Sequence, residues 1–200
     1  MLTRFLNVAQ TRRGFLTNVG GGAVLSAAAI ALLGKHDALA ATMSQGGSPG
    51  NDVAILNVAL GLEHEAIAAY QIGAESGLLD KPVLAVAVAF QSQHKGHRDA
   101  LAGTIQKLGG TPVAALPMAD YTSSAKLNVA AVKSASDILK LAQRLELGAV
   151  NAYLGVIPAF GNHDLAKVAG RLAADETMHY TALTQALGEP LPSAALSYGA

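Results

Sequence analysis

The chain has no cysteine. That excludes disulfides, zinc–thiolate sites, iron–sulfur clusters and cysteine nucleophiles at once. It has no tryptophan, and aromatic residues make up only 4% of it. A β-sandwich draws on aromatic and β-branched residues, so the shortage favours closely packed helices. Charge is sparse and balanced, with fourteen basic and fourteen acidic residues and a formal net charge of zero. No basic cluster lies in the body of the chain, so no nucleic-acid partner is expected. Alanine and glycine are abundant instead. Two hundred residues suffice for one domain with a sizeable core. Without thiols, any metal site must be built from histidine and carboxylates.

Near the N-terminus, Thr11-Arg12-Arg13-Gly14-Phe15-Leu16 resembles the twin-arginine export motif. A charge-free stretch over residues 14–34 follows, and then Ala38-Leu39-Ala40, a small-x-small signal with cutting expected after Ala40. The stretch holds Thr17, Asn18 and three successive glycines, whereas a membrane anchor usually needs about 20 strongly apolar residues. A cleaved signal over residues 1–40 and a periplasmic or exported mature chain are expected; an N-terminal membrane anchor is the alternative. Cleavage removes Arg4, Arg12, Arg13, Lys35 and Asp37, which leaves the remainder slightly acidic. The resemblance implies the twin-arginine export machinery as a partner. That route carries folded proteins, often with a cofactor already inserted in the cytosol.

Residues 41–51 are small, polar and Gly-rich, and read as a flexible lead-in, with Asn51 as the first helix cap. Hydrophobic periodicity then predicts four helices. The first runs from Asp52 to Ser76 with the inward stripe Leu56, Leu60, Glu63, Ile67, Tyr70 and Ala74. The second starts at Asp80-Lys81-Pro82, with Asp as cap and Pro in the first turn, and carries Phe90, His94, His97, Leu101 and Leu108. Residues 109–134 form a connection far longer than most in helix bundles, long enough to set the second and third helices parallel. The third opens on Ser134-Ala135-Ser136-Asp137, a capping box, and presents Leu139, Ala142, Glu146, Ala149, Tyr153 and Ile157. The fourth runs from Asp164 to Leu187 with Leu172, Glu176, His179, Leu183 and Leu187 facing in. Residues 189–200 are a tail without a clear period. His64, His163 and Glu65 are expected in solvent.

Glu176 and His179 lie three apart, hence on one helix face, and that face is apolar. Buried charge needs partners to offset its desolvation. Any one such residue is more often a satisfied polar group than a ligand. Here, however, the chain repeats. Leu62-Glu63 and Ala69-Tyr70 return as Leu145-Glu146 and Ala152-Tyr153 at an offset of 83 residues, and His94 and His97 map onto Glu176 and His179 at an offset of 82. Two helical hairpins therefore look like copies of one unit, with inward polar residues at one level.

With this pattern the segment from Asp52 to Gly188 resembles the ferritin-like superfamily, in particular its exported bacterial ferritin-like domain branch. The resemblance implies an all-α fold: a four-helix bundle of two pseudo-symmetric hairpins with one long crossover. It also implies a dimetal site built from a Glu on each of two helices and a Glu-x-x-His on each of the other two. Glu63 and Glu146 match the lone glutamates. Glu176 and His179 match one Glu-x-x-His, and His97 matches the histidine of the other. His94 stands where the pattern has Glu. Three carboxylates then face three imidazoles, and two divalent cations would keep about one net positive charge, resting on the family's four-carboxylate ligand set. The missing Glu commonly bridges the metals, and a His cannot bridge them in the same way. A mononuclear site, an asymmetric pair and a weaker second site all stay open. Asp175 is placed to accept a proton from a ligand histidine, and Tyr70 and Tyr153, two turns from their glutamates, to donate hydrogen bonds to the ligands or to limit radical chemistry.

The resemblance implies one or two ions of iron or manganese, and no haem. The implied function is metal binding with ferroxidase or peroxide-detoxifying activity, so that an enzyme of this kind would be a dimetal-carboxylate oxidoreductase. The alternative is a non-catalytic structural or stress- and desiccation-related bundle with a degenerate site. A homodimer is a further partner option, and a hollow iron-storage shell has no visible signature.

Overall fold

The structure, a computed structural model, describes residues 49–199. The signal expected over residues 1–40 and most of the lead-in lie outside the described residues. Among the described residues five α-helices form: α1 (Pro49–Glu75), α2 (Lys81–Lys107), the one-turn α3 (Met118–Thr122), α4 (Ala135–Val156) and α5 (His163–Ala186). No strand occurs among the described residues. The four long helices are the four that periodicity predicts.

Local chemistry starts and stops them where expected. Asp80 accepts from the Val83 backbone N–H at 2.9 Å and caps α2. Ser134 accepts from Asp137 N–H at 3.2 Å and caps α4, and Asn162 does the same for α5 through Asp164 N–H at 2.8 Å. After α2 the chain turns at Gly109, with φ +79°, a left-handed conformation that glycine adopts without strain. Gly110 then passes so close to α1 that a Cβ there would stand 2.5 Å from Val53.

The start of α1 differs from expectation. The helix begins at Pro49, so residues 49–51 belong to it and Asn51 is not its cap. The Asn51 side chain donates to the Ala159 carbonyl at 3.3 Å, and Asp52 accepts from Gly161 N–H at 2.9 Å. These polar groups tie the start of α1 to the turn between α4 and α5, a partner more than a hundred residues away. The inner end of the α2 stripe also shifts by one turn. Ile105 is buried there while Leu108 is exposed, because α2 has ended at Lys107.

Helix directions follow from side-chain pairing. Tyr70 of α1 reaches Glu146 of α4, while Tyr153 reaches back to Glu63. Going up α1 thus means going down α4. Since α1 also packs against α2 as a hairpin, α2 and α4 run parallel. The crossover that makes this possible is not a bare loop. It carries α3 and a short 3-10 turn over Val129–Ala131, and it presses Tyr121 and Leu127 onto Ala68, Ala69 and Leu141. This corrects the expected exposure of His64 and Glu65. Both are half-buried, with His64 Nε2 at 3.1 Å from the Val113 carbonyl and Glu65 paired with Lys126. The crossover covers a face of α1 that periodicity assigns to solvent.

Two apolar layers enclose one polar layer. Leu56, Leu60, Leu101, Ile105 and Leu172 pack on one side. Tyr70, Phe90, Ala142 and Leu183 pack on the other. Between them lie the carboxylates and imidazoles.

Candidate metal centre

All six predicted donors meet in that polar layer. Glu63 comes from α1, His94 and His97 from α2, Glu146 from α4, and Glu176 and His179 from α5. Five of them are 2% exposed or less, and the His97 side chain is 11% exposed. His94 sits at the centre. Its Nδ1 lies 2.8 Å from Glu63 and 3.7 Å from Glu176, and its Nε2 lies 3.1 Å from Glu146. His97 Nδ1 stands 3.2 Å from Glu176 Oε1 and 3.6 Å from Glu63. His179 Nδ1 stands 3.0 Å from Glu176 Oε2 and 3.4 Å from Glu146.

The surrounding contacts repeat with the sequence. Tyr70 donates to Glu146 at 2.5 Å and Tyr153 donates to Glu63, so each tyrosine holds the carboxylate of the other half. The far nitrogens of the terminal histidines are held in the same crossed fashion. His97 Nε2 meets Asp175 Oδ2 at 3.3 Å, and His179 Nε2 meets Gln93 Oε1 at 2.5 Å. Gln93 is the residue that sequence reasoning missed. The signal was present: the offset of 82 that pairs His97 with His179 also pairs Gln93 with Asp175. With both Nε2 atoms occupied, the Nδ1 atoms are left facing the carboxylates.

Protonation follows from this packing. Burial alone would neutralise His94, but its bonds to Glu146 and Glu63 outweigh that and push it up to about 11. His97 is pushed up to about 10 against its burial by Glu176 and Glu63, and Glu146 and Glu176 raise His179. Burial opposes charge on Glu63 and Glu146 too, yet their histidine partners hold both below the usual carboxylate range. At Glu176 burial wins and its carboxyl is raised. The two tyrosine hydroxyls are pushed well up by burial and by the carboxylates beside them, so they stay donors. Without a metal, protons on the imidazoles supply the positive charge that the carboxylates require.

Three buried donor atoms have no hydrogen bond: His97 Nδ1, Glu146 Oε2 and Glu176 Oε1. Each is within ion-pair distance of other donors, but none is aligned with a proton between them. They fall into two groups of four, Glu63–His94–His97–Glu176 and His94–Glu146–Glu176–His179, whose ligand atoms all lie within 4.8 Å of one another. Two donors held by one ion at about 2.0–2.2 Å stand about 3 Å apart, which is the observed spacing. The donor set therefore fits a metal of the kind that takes imidazole and carboxylate, and these buried clusters could hold one ion or two.

A cavity of about 280 Å³ between α1 and α4 reaches Glu63, His94, Glu146 and Glu176, with Lys126 and Arg144 on its outer wall. Behind Tyr70 and Phe90 lies a second, apolar cavity of about 660 Å³.

The family model described as "Ferritin-like domain" matches residues 51–189. Among solved structures, the chain is similar to a conserved hypothetical protein, rv2844, from Mycobacterium tuberculosis. The two are 26% identical with a TM-score of 0.61, over 74% of this chain and 99% of that one. No curated protein matches the chain.

Proposed function

The chain belongs to the ferritin-like domain family, and from that premise we propose that Glu63, His94, His97, Glu146, Glu176 and His179 bind one or two ions of iron or manganese. The observation that carries this reading is the set of three buried donor atoms without hydrogen bonds, which point into two four-residue groups. Burying three carboxylates at one level is costly unless cations offset them. Iron or manganese held there would supply redox chemistry toward dioxygen or peroxide, as in ferrous oxidation or peroxide disposal.

The chain's own residues prepare that chemistry. Tyr70 and Tyr153 fix the orientation of Glu146 and Glu63. Asp175 and Gln93 occupy the Nε2 atoms of His97 and His179, so the Nδ1 atoms are the ones available as ligands. The cavity between α1 and α4 is wide enough for a molecule the size of dioxygen or peroxide, and the apolar layers above and below exclude bulk water. His97 and Asp175, at the edge of the layer, form the side nearest solvent.

The proposal includes export. The motif around Arg12 and Arg13 supports the twin-arginine route, cutting after Ala40 and loading before export. Intact mass of the secreted form should then start at Ala41. Metal analysis of protein purified from the cytosol should find at least one such ion per chain, lost in Glu176→Ala. Metal-free protein that gains no thermal stability from iron or manganese would overturn the reading.

A non-metal reading has one observation in its favour. His94 already bonds Glu63 at 2.8 Å and Glu146 at 3.1 Å, so a protonated His94 tethers two carboxylates by itself. A purely structural ion network predicts that Glu63→Gln leaves metal content at zero and stability unchanged or higher.

A further inference from the structure

The two groups of four donors share two residues, His94 and Glu176. In the sequence repeat these are counterparts, one imidazole and one carboxylate. Each addresses both halves with a different atom. Glu176 turns Oε1 to His97 and Oε2 to His179. His94 turns Nδ1 to Glu63 and Nε2 to Glu146. The ring is almost fully buried, lies edge-on to His97 and to His179, and is backed by Tyr70 at 5.3 Å between centroids. Both ring nitrogens are thus engaged, one in each half.

We propose that His94 joins two divalent metal ions, one through each ring nitrogen, in the place where the family pattern has a bridging glutamate. This rests on the metal-binding reading above and specifies its geometry. Half-site one is then Glu63, His97 and His94 Nδ1; half-site two is Glu146, His179 and His94 Nε2; Glu176 offers one oxygen to each.

Two consequences follow. A ring bound through both nitrogens is an anion, its ring protons having left to solvent. Three carboxylates and one imidazolate then carry four negative charges, which match two divalent cations. The charge mismatch left by replacing a fourth glutamate disappears. The second consequence is distance. Two metal–nitrogen bonds of about 2 Å on opposite sides of the ring hold the ions about 6 Å apart. Oxygen-bridged pairs stand about 3.5–4 Å apart.

The test is to load the folded chain with manganese(II) or cobalt(II). Stoichiometry is measured by elemental analysis, and metal–metal separation by X-ray absorption and magnetic resonance. The expected result is two ions per chain, no metal scatterer near 3.5–4 Å, and weak magnetic coupling. In His94→Glu the two ions should remain, with a short separation and strong coupling. Two ions in the unaltered chain at 3.5–4 Å would overturn the bridge and leave metal binding intact. One ion in the unaltered chain would overturn it too, whether or not His94→Glu binds a second. No ion in either would overturn the metal-binding reading itself. The unaltered chain alone decides the question if the variant fails to fold.

Discussion

In the first hairpin, α1 and α2, the residues before His97 in the repeat are Gln93 and His94. In the second, α4 and α5, the residues before His179 are Asp175 and Glu176. Everything else in the polar layer is duplicated. Glu63 with Tyr70 mirrors Glu146 with Tyr153, and the hydrogen bonds cross between the halves in the same way. The backbone scaffold is thus a copied object carrying an asymmetric charge pattern. A helix face tolerates a Glu-to-His exchange because both side chains reach the same central volume. The electrostatics do not tolerate it passively: one negative charge is lost and one titratable base is gained. The layer answers by holding protons on its imidazoles when no metal is present. The comparison teaches that fold symmetry and charge symmetry are separate properties, and only the first is intact here.

Glu176→Ala should have the largest effect. It removes the shared carboxylate of both groups and leaves His97 and His179 without a main partner. Loss of one member of a buried ionic cluster costs about 3–5 kcal/mol. Chemical denaturation and metal content should both register it. If the counterpart variant His94→Ala costs as much and loses as much metal, the two positions are equivalent after all.

The next effect is on pH. In the metal-free protein His94 and His97 are raised from an ordinary 6.5 to about 11 and about 10. Their contribution is full below pH 6.5 and is lost as pH rises through 10 to 11, because the folded state keeps protons that the unfolded chain releases. Glu63 and Glu146 are held below 4.5. Their contribution is present above pH 4.5 and is lost as pH falls further. Glu176, raised by burial, works in the opposite direction to them. Thermal melting without metal should therefore peak between pH 4.5 and 6.5. Metal-loaded protein should peak at higher pH, since protons compete with the ions. Identical profiles with and without metal would break the account of proton-for-metal exchange.

Tyr70→Phe and Tyr153→Phe probe the symmetric part. Each removes one hydrogen bond to a buried carboxylate, worth about 1.5–3 kcal/mol. Equal losses in urea titration would extend the twofold relation from geometry to energy. A clear inequality would show that the His94–Glu176 exchange reaches the second ring of contacts.

The smallest effect belongs to Asp175→Asn, which makes that position amide-like, as at Gln93. Asp175 is more than half exposed, so a stability change within about 0.5 kcal/mol is expected. A large drop would mean that the His97–Asp175 contact matters more than its exposure suggests.

Much of this was legible in the chain itself. Glu63, Glu146, Glu176 and His179 are isolated polar residues on apolar stripes of period 3.6, and the repeat sets them at one level. Two features were not legible. The Asn51 and Asp52 contacts join the start of α1 to the Ala159–Gly161 turn, and nothing local to residues 49–52 signals that partner. The burial of His64 and Glu65 depends on where the crossover lies, and its path is set by Tyr121 and Leu127 finding Ala68 and Leu141. Helical periodicity describes one helix against one core; it carries no information on a second covering layer.

The amino-acid order alone determined the four helices, the paired hairpins and which six polar residues turn inward at one level, since period, caps and repeat are local or near-local properties. Tertiary structure alone decided which donor faces which. It crossed the tyrosines between halves, brought Gln93 and Asp175 to the outer nitrogens, and set His94 with one nitrogen toward each half. Those outcomes depend on helix direction and on depth within the bundle. Both are fixed only when all four apolar faces are buried together.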